Sequence, residues 1–168
     1  MKTSYLKTLC LGAVSAFSAL SMMADTITLP DPNTLQRTAT LGDAISGKWG
    51  NDLNPSTGSI RTAFGGTWLN EGELTAAGEN DWLKVTVTSG SWGTNGSGTW
   101  EIKPAFWTTW GRAVISMHVG HGGGNPDWFA WEITTGNTSG TWSYKRNSGT
   151  GGGLFNIKLW GSGTPNVP

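Results

Sequence analysis

The feature that most constrains the fold is a series of short strand-like segments that fills the second half of the chain. In residues 128–134, Phe129, Trp131 and Ile133 share one side of an extended chain, because successive side chains of a strand point to opposite faces. Stretches rich in glycine, asparagine and serine separate the segments, as is typical of connections between strands. The other segments that we predict as strands are residues 82–88, 99–103, 112–119, 142–145 and 154–160.

Together these segments predict a single all-β domain, an antiparallel β-sandwich or jelly roll. The 168 residues suit one domain, and the mature chain shows no segment with a helical period. The alternation also predicts which side chains face the core, because one side of each strand must be buried. Outside 128–134 these are Leu83, Val85 and Val87, then Ala113, Ile115, Met117 and Val119, and finally Phe155, Ile157 and Leu159.

The part of the chain before the alternating segments gives weaker signals. Residues 25–33 are predicted as a leading arm or edge strand, because the two prolines there cannot donate hydrogen bonds to a sheet. Apolar residues are irregularly spaced over 38–67, which favours loops with short strands. The same stretch is also compatible with a short helical turn at 43–46.

Glycine is predicted in turns and directly before strands. Residues 89–98 are predicted as a hairpin connection in which Asn95 and Gly96 take positive φ angles. The triplet Gly-Thr-Trp occurs three times with unequal spacing and unlike flanks, so it indicates a recurring way of starting a strand after a turn and not a sequence repeat. The three triplets begin at Gly66, Gly98 and Gly140.

The N-terminus has the composition of a secretory signal peptide. Lys2 and Lys7 precede a mostly apolar run at 9–23, and small residues lead up to Ala24, so we predict cleavage after Ala24. The run is shorter than the roughly 20 residues that span a bilayer, and no later segment qualifies. We therefore expect export and no transmembrane segment in the mature chain.

Cleavage leaves residues 25–160 as the β domain and 161–168 as a Gly- and Pro-containing tail or linker. Cys10 is the only cysteine and is removed with residues 1–24, which excludes a disulfide or thiol chemistry in the mature chain. The loss of two lysines leaves 9 basic against 11 acidic residues. Without a basic cluster, nucleic acid is not expected as a partner, and no cofactor is expected.

Several motifs resemble one bacterial family when taken in order: GKWGND, WLKVTVTSG, SGTWEI, WFAWEIT, SGTWS and GGGLFNIKLW. They are similar to the extracellular domain of proteins that carry a PEP-CTERM sorting signal, over most of residues 45–160. The resemblance implies Gram-negative export and a role at the cell surface or in the extracellular polysaccharide matrix, with no catalytic residues to carry over. The sorting signal itself does not occur in the chain, and residues 161–168 are similar to the family's linker alone.

Eleven tryptophans are the most unusual chemical resource of the chain. An exposed tryptophan can stack on the apolar face of a sugar, whereas a buried one contributes to the core. Trp131 shares its face with Phe129 and Ile133 and is predicted as core. The candidates for ligand binding, on opposite faces or in loops, are Trp92, Trp107, Trp110, Trp128 and Trp160.

Two other groups of residues support weaker hypotheses, a metal site and a catalytic pair of carboxylates. His118, His121 and Asp127 could ligate a metal, but the spacing points the two imidazoles to opposite faces, and a polar strand end is favoured instead. Glu101 and Glu132 lie in predicted strands, as the carboxylates of a jelly-roll glycosidase do, but nothing in the sequence pairs them across a cleft. We therefore expect no metal and no catalytic residue.

The sequence favours a non-catalytic protein that acts by surface contact, with polysaccharide or other matrix proteins as partners. A carbohydrate-binding module is the first alternative, and a jelly-roll glycoside hydrolase is the second. Exposed tryptophans would favour the module, and a groove that holds both carboxylates would favour the hydrolase.

Export predicts a defined mature terminus. We expect N-terminal sequencing of the protein recovered outside the cytoplasm to begin at Asp25, because Ser21 and Ala24 provide small residues in the region that a signal peptidase reads. Recovery of a chain that still begins at Met1 from the cytoplasmic fraction would contradict export.

Overall fold

The computed structural model describes residues 25–31, 35–51, 54–120, 124–149 and 151–165. Within them lie eleven strands, one α-helix, α1 (Thr57–Phe64), and one 3-10 helix, Pro104–Thr108. The strands are β1 (Asp25–Leu29), β2 (Arg37–Gly50), β3 (Trp68–Leu74), β4 (Gly78–Glu79), β5 (Leu83–Val85), β6 (Ser89–Gly90), β7 (Gly96–Ile102), β8 (Arg112–Val119), β9 (Trp128–Ile133), β10 (Ser139–Arg146) and β11 (Leu154–Ser162).

All of the strand pairings are antiparallel and connect the strands into one sheet, which confirms the predicted all-β class. The strand order is β3-β11-β8-β9-β2-β10-β7-β5-β4, with β1 beside β2 and β6 beside β7. The helices are peripheral to this sheet. No helix among the described residues is long and apolar enough to cross a membrane.

Strand β2 joins the two halves of the sheet. Its first residues pair with β10 and its last residues pair with β9, with a register shift between Ala44 and Ser46. Asp43, just before the shift, has a φ of 64°, which is uncommon for a residue other than glycine. A bulge of this kind bends a strand, so β2 can belong to both halves.

The two halves enclose one main core. Ile115 and Trp131 from the β8 and β9 half belong to the same buried cluster as Trp100 and Trp142 from the β7 and β10 half. The predicted inward faces of 82–88, 112–119 and 128–134 are confirmed, with Val87 only partly buried. The halves must therefore face each other across this cluster.

A second, smaller core lies on the outer face of β3, β11, β8 and β9, where α1 covers the sheet. Ser56 caps the helix through a reciprocal pair of contacts with Ser59, and the helix ends at Gly65, whose φ is 66°. Arg112 holds the end of the helix in place by donating to the Phe64 carbonyl at 2.9 Å. The buried members of this core are Ile60, Trp68, Val114, Trp128, Ala130 and Trp160.

The expectation of loops with short strands over 38–67 is wrong. This stretch contains most of β2, the longest strand at 14 residues, and all of α1. The bulge after Asp43 breaks the alternation of buried and exposed residues by which β2 could have been predicted. Residues 43–46, where the sequence is also compatible with a helical turn, lie within this strand. Helix α1 has eight residues, and its apolar face consists of Ile60, Ala63 and Phe64 alone, which is too short to show a helical period in the sequence.

Two local predictions are also wrong. Phe155 is 56% exposed, because a register shift between Leu154 and Asn156 turns it outward, and Asn156 is buried instead. In the hairpin at 89–98, the positive φ angles belong to Gly90 and Gly93 and not to Asn95 and Gly96. The turn closes between Ser91 and Thr94, which places Gly93 where a positive φ is needed.

Two of the Gly-Thr-Trp triplets lie opposite each other in β7 and β10. Gly98 pairs with Trp142, and Trp100 pairs with Gly140, so each tryptophan has a glycine as its cross-strand neighbour. A Cβ added at Gly140 would lie 2.6 Å from Cζ2 of Trp100. The indole therefore occupies the space that any side chain at residue 140 would need, as in the packing of aromatic rings over strand glycines.

This packing predicts that Gly140→Ala destabilises the protein, although alanine normally suits a strand no worse than glycine. We expect a loss of about 1–3 kcal/mol, the usual cost of overpacking a core, measured by urea unfolding. Gly58→Ala in α1 is the control, because its Cβ would lie 3.5 Å from Ser56 Oγ in ordinary contact. That variant is expected to be as stable as the parent or more so. Equal unfolding midpoints for Gly140→Ala and the parent would contradict the packing argument.

Candidate functional site

Trp49 is the one exposed tryptophan among the eleven, all of which the structure describes, with 41% of its surface accessible. The others are buried or half-buried and pack against one of the two cores. Trp49 was not among the predicted ligand-binding residues. It is nevertheless the tryptophan best placed to meet something outside the molecule.

A groove of about 410 Å³ lies beside Trp49, where the end of β2 and the start of β9 meet α1. Lys48 and Trp49 are successive strand residues, so their side chains leave β2 in opposite directions. Both border the groove, which lies at the end of the strand. Its lining consists of Lys48, Trp49, Ser56, Gly58, Ser59, Thr62, Ala63 and Trp128.

Trp128 forms an apolar wall of this groove. Most of its side chain is buried in the protein, and 5% of the residue is accessible to solvent. Its ring lies against the backbone of Gly50, where an added Cβ would come within 2.6 Å of the indole. The position of α1 is fixed by its own cap at Ser56 and by Ile60 in the smaller core. The groove is therefore built from ordered elements on both sides.

The chemistry of this groove is aromatic and hydroxyl-rich with one cation. Ser56 and Ser59 hydroxyls lie 3.1 Å apart at the helix cap. Lys48 forms no ion pair with any residue that the structure describes. No lining residue carries a carboxyl or an imidazole. The arrangement can hold a ligand that has both apolar faces and hydroxyl groups, but it offers no acid–base pair.

The expectation that Trp128 and Trp160 are exposed is wrong. They lie on the face opposite the main core, as predicted, but α1 covers that face and buries both. The Trp160 indole N–H donates to Ser116 Oγ at 2.8 Å, and this bond is also buried. Trp160 has a structural role in the smaller core, whereas Trp128 retains an edge at the groove.

The loop tryptophans Trp92, Trp107 and Trp110 are half-buried against the main core. Trp92 packs edge-on against Trp142, with ring centroids 5.9 Å apart. Trp107 donates its indole N–H to the Asn137 carbonyl at 2.8 Å. The structure therefore places these three rings as covers of the core and does not bring them together as one platform.

The two candidate carboxylates lie in separate ion pairs. Glu132 accepts two hydrogen bonds from the Arg112 guanidinium, at 2.6 and 3.0 Å, and this contact raises the pKa of Arg112. Glu101 lies 3.6 Å from Lys84 on the surface. Glu132 lies on the outer face of the β9 half, opposite Val114 of the smaller core, whereas Glu101 lies on the outer face of the β7 half. The fold therefore does not bring the two carboxylates together across one cleft, as a glycosidase pair requires.

The histidine and aspartate candidates do not form a metal site in the described part of the chain. Asp127 is buried and pairs with the Arg37 guanidinium at 3.3 Å, while His118 packs its ring edge-on against Phe155. His121 lies outside the described residues. No group of three potential ligands occurs among the residues that the structure describes.

No protein-family model, curated protein or solved structure matches the chain. We therefore infer a function from the geometry and chemistry of the residues alone. One feature of the sequence could have indicated a functional role for Trp49: it lies just before the turn-forming stretch at 50–58, and loops at strand ends often carry functional residues.

His118 provides a test of the local structure. Burial lowers its pKa below the ordinary value near 6.5, and Lys158 lowers it further, whereas Asp127 and Glu73 act in the opposite direction. The unfolded chain therefore takes up a proton at this position at a higher pH than the folded chain. Stability should fall as the pH decreases through about 6.5 towards the pKa of the folded state.

We expect the proton NMR titration of His118 to give a pKa below 6.5. His118→Gln should also reduce the loss of thermal stability between pH 7 and pH 5. A titration midpoint above 6.5, or an identical pH dependence in the variant, would contradict the described environment of this imidazole.

Proposed function

We propose that the protein is an exported component of a Gram-negative cell surface or extracellular matrix, and that it binds polysaccharide there without cleaving it. The signal-peptide pattern of residues 1–24 and the resemblance to the domain of PEP-CTERM proteins support the location. The low content of charged residues, 13% of the chain, is in keeping with such a protein.

The observation that carries the binding proposal is the exposed Trp49 at a groove walled by Trp128. Sugar rings have apolar faces that stack on indoles and hydroxyl edges that need hydrogen-bonding groups. The groove offers both, since Ser56, Ser59 and Thr62 line it together with Trp128, and the exposed Trp49 borders it at the end of β2. A volume of about 410 Å³ is in the range of small-ligand sites and suits a few sugar units.

Placement of the acidic residues supports binding without catalysis. Hydrolysis of a glycosidic bond requires two carboxyl groups facing the same bond. Glu101 and Glu132 lie on different strands and each is engaged with its own cation. Neither lines the groove beside Trp49.

Substitution of Trp49 tests the proposal. We expect electrophoresis through gels that contain dextran, xanthan or soluble β-glucan to retard the parent protein in at least one gel. Trp49→Ala should weaken that retardation at least tenfold, about 1.4 kcal/mol, and Trp49→Phe should weaken it less because an aromatic face remains. Acrylamide quenching of tryptophan fluorescence should decrease when the same polysaccharide is added.

Phe155→Ala is the matched control. It removes another exposed aromatic ring, one that does not line the groove, and should leave retardation unchanged. Equal losses in the Trp49 and Phe155 variants would indicate a general loss of surface hydrophobicity. Unretarded migration of the parent protein in all three gels would contradict polysaccharide binding.

A further inference from the structure

A second groove lies elsewhere, on the outer face of β5, β7 and β10, and its volume of about 740 Å³ exceeds that of the groove beside Trp49. Its residues alternate with core residues along each strand: Thr99 and Glu101 flank the inward Trp100, and Thr141 precedes the inward Trp142. The groove is therefore a property of the outward face and contains none of the buried indoles.

The depth of this groove follows from side-chain size. Thr99 and Thr141 are cross-strand partners with short side chains, and Thr99 Oγ1 lies 2.7 Å from Thr86 Oγ1. The next outward position carries longer groups, where Lys84 and Glu101 pair at 3.6 Å. Short hydroxyl residues thus form a floor, and longer charged residues form a rim.

Hydroxyl groups continue in register across the neighbouring strands. One outward row crosses five strands that are spaced at about 4.8 Å. Its hydroxyls are not in the groove but extend the same polar face toward β1. The residues of this row, in order across the sheet, are Thr28, Thr40, Ser143, Ser97 and Ser89.

Asp43, at the bulge of β2, adds a carboxylate to this groove. Among the described residues other than glycine, it is the one with a positive φ, 64°, and it lines this groove. Such backbone conformations are unfavourable for most residues and are concentrated at ligand-binding positions. Here the conformation places an acidic residue at the groove, where a carboxylate can accept hydrogen bonds from hydroxyl groups.

The two grooves lie on opposite sides of the molecule. Trp131 of β9 and Trp100 of β7 point into the same main core from the two halves of the sheet. The outer face of each half therefore points away from the other. The groove beside Trp49 lies on the outer surface of the β9 half, and the groove at Thr99 lies on the outer surface of the β7 half.

We propose that the groove at Asp43, Thr99 and Thr141 is a second saccharide-binding site, so that one molecule bridges two polysaccharide chains. The inference rests on the proposed function, because it assigns the same class of ligand to another surface. Carboxylate, ammonium and hydroxyl groups all hydrogen-bond to the hydroxyls of a sugar. Without an aromatic platform, this site recognises the hydroxyl edges of the chain and not its apolar faces.

The double variant Asp43→Asn/Thr141→Val tests the second site. Asparagine tolerates a positive φ, and valine has nearly the shape of threonine, so the fold should persist, as circular dichroism can check. The control is Asp31→Asn/Thr67→Val, which makes the same chemical changes at exposed residues that line neither groove. Binding is measured in the gels with dextran, xanthan and soluble β-glucan, and bridging by light scattering of the same polysaccharides in solution.

We expect the parent protein and the control to raise light scattering. Trp49→Ala and the double variant should each keep part of the gel retardation but lose at least 80% of the scattering increase, and their combination should lose all retardation. If Trp49→Ala alone abolishes retardation, or if the double variant scatters like the parent, the second site is wrong while polysaccharide binding stands. If the parent is retarded in none of the gels, both proposals fail.

Discussion

The structure depends on the packing of tryptophan rings over glycine backbones. Trp100 lies over Gly140, and Trp128 lies over Gly50, in each case where a side chain would need the same space. The indole N–H groups of both tryptophans are buried and have no hydrogen-bond partner among the described residues, which costs about 1–3 kcal/mol each. Burial of an indole contributes about 4–6 kcal/mol, so the packing remains favourable. At these positions glycine and tryptophan occur together for one physical reason, because the ring needs the space above the bare backbone.

The second constraint is the attachment of α1 to the outer face of the sheet. Arg112 makes four contacts with three residues there: it donates to both carboxylate oxygens of Glu132 and to the Phe64 carbonyl, and lies 4.8 Å from the centroid of the Trp68 ring. A planar guanidinium can satisfy all of these contacts at once, which an ammonium group could not. By holding the end of the helix, Arg112 keeps one wall of the groove beside Trp49 in place. Glu132 thus has a positioning role in the smaller core.

Sequence patterns were sufficient for the fold class and for most of the main core. They succeeded where one face of a regular strand is buried, as for Ile115 and Trp131. They failed where a bulge shifts the register, which hides β2 and turns Phe155 outward. They also could not show that a short helix covers Trp128 and Trp160, because strand parity distinguishes the two faces of a sheet but not which face meets solvent. Trp49 was missed because β2 was not predicted as a strand, so strand parity could not be applied to it.

The proposed surface function depends on what the two halves of the sheet carry on their outer sides. One side has α1, which buries most of the aromatic surface and leaves a groove with Trp49 exposed. The other has no α-helix over it among the described residues, although the 3-10 helix Pro104–Thr108 follows β7 and Pro104 borders the groove. Most outward positions of β7 and β10 carry short hydroxyl residues, and Glu101 pairs with Lys84 of β5. Because both sides are supported by the same core, neither groove needs a conformational change to form. Rigid grooves on opposite outer faces are the geometry that a molecule needs in order to hold two polymer chains at a fixed separation.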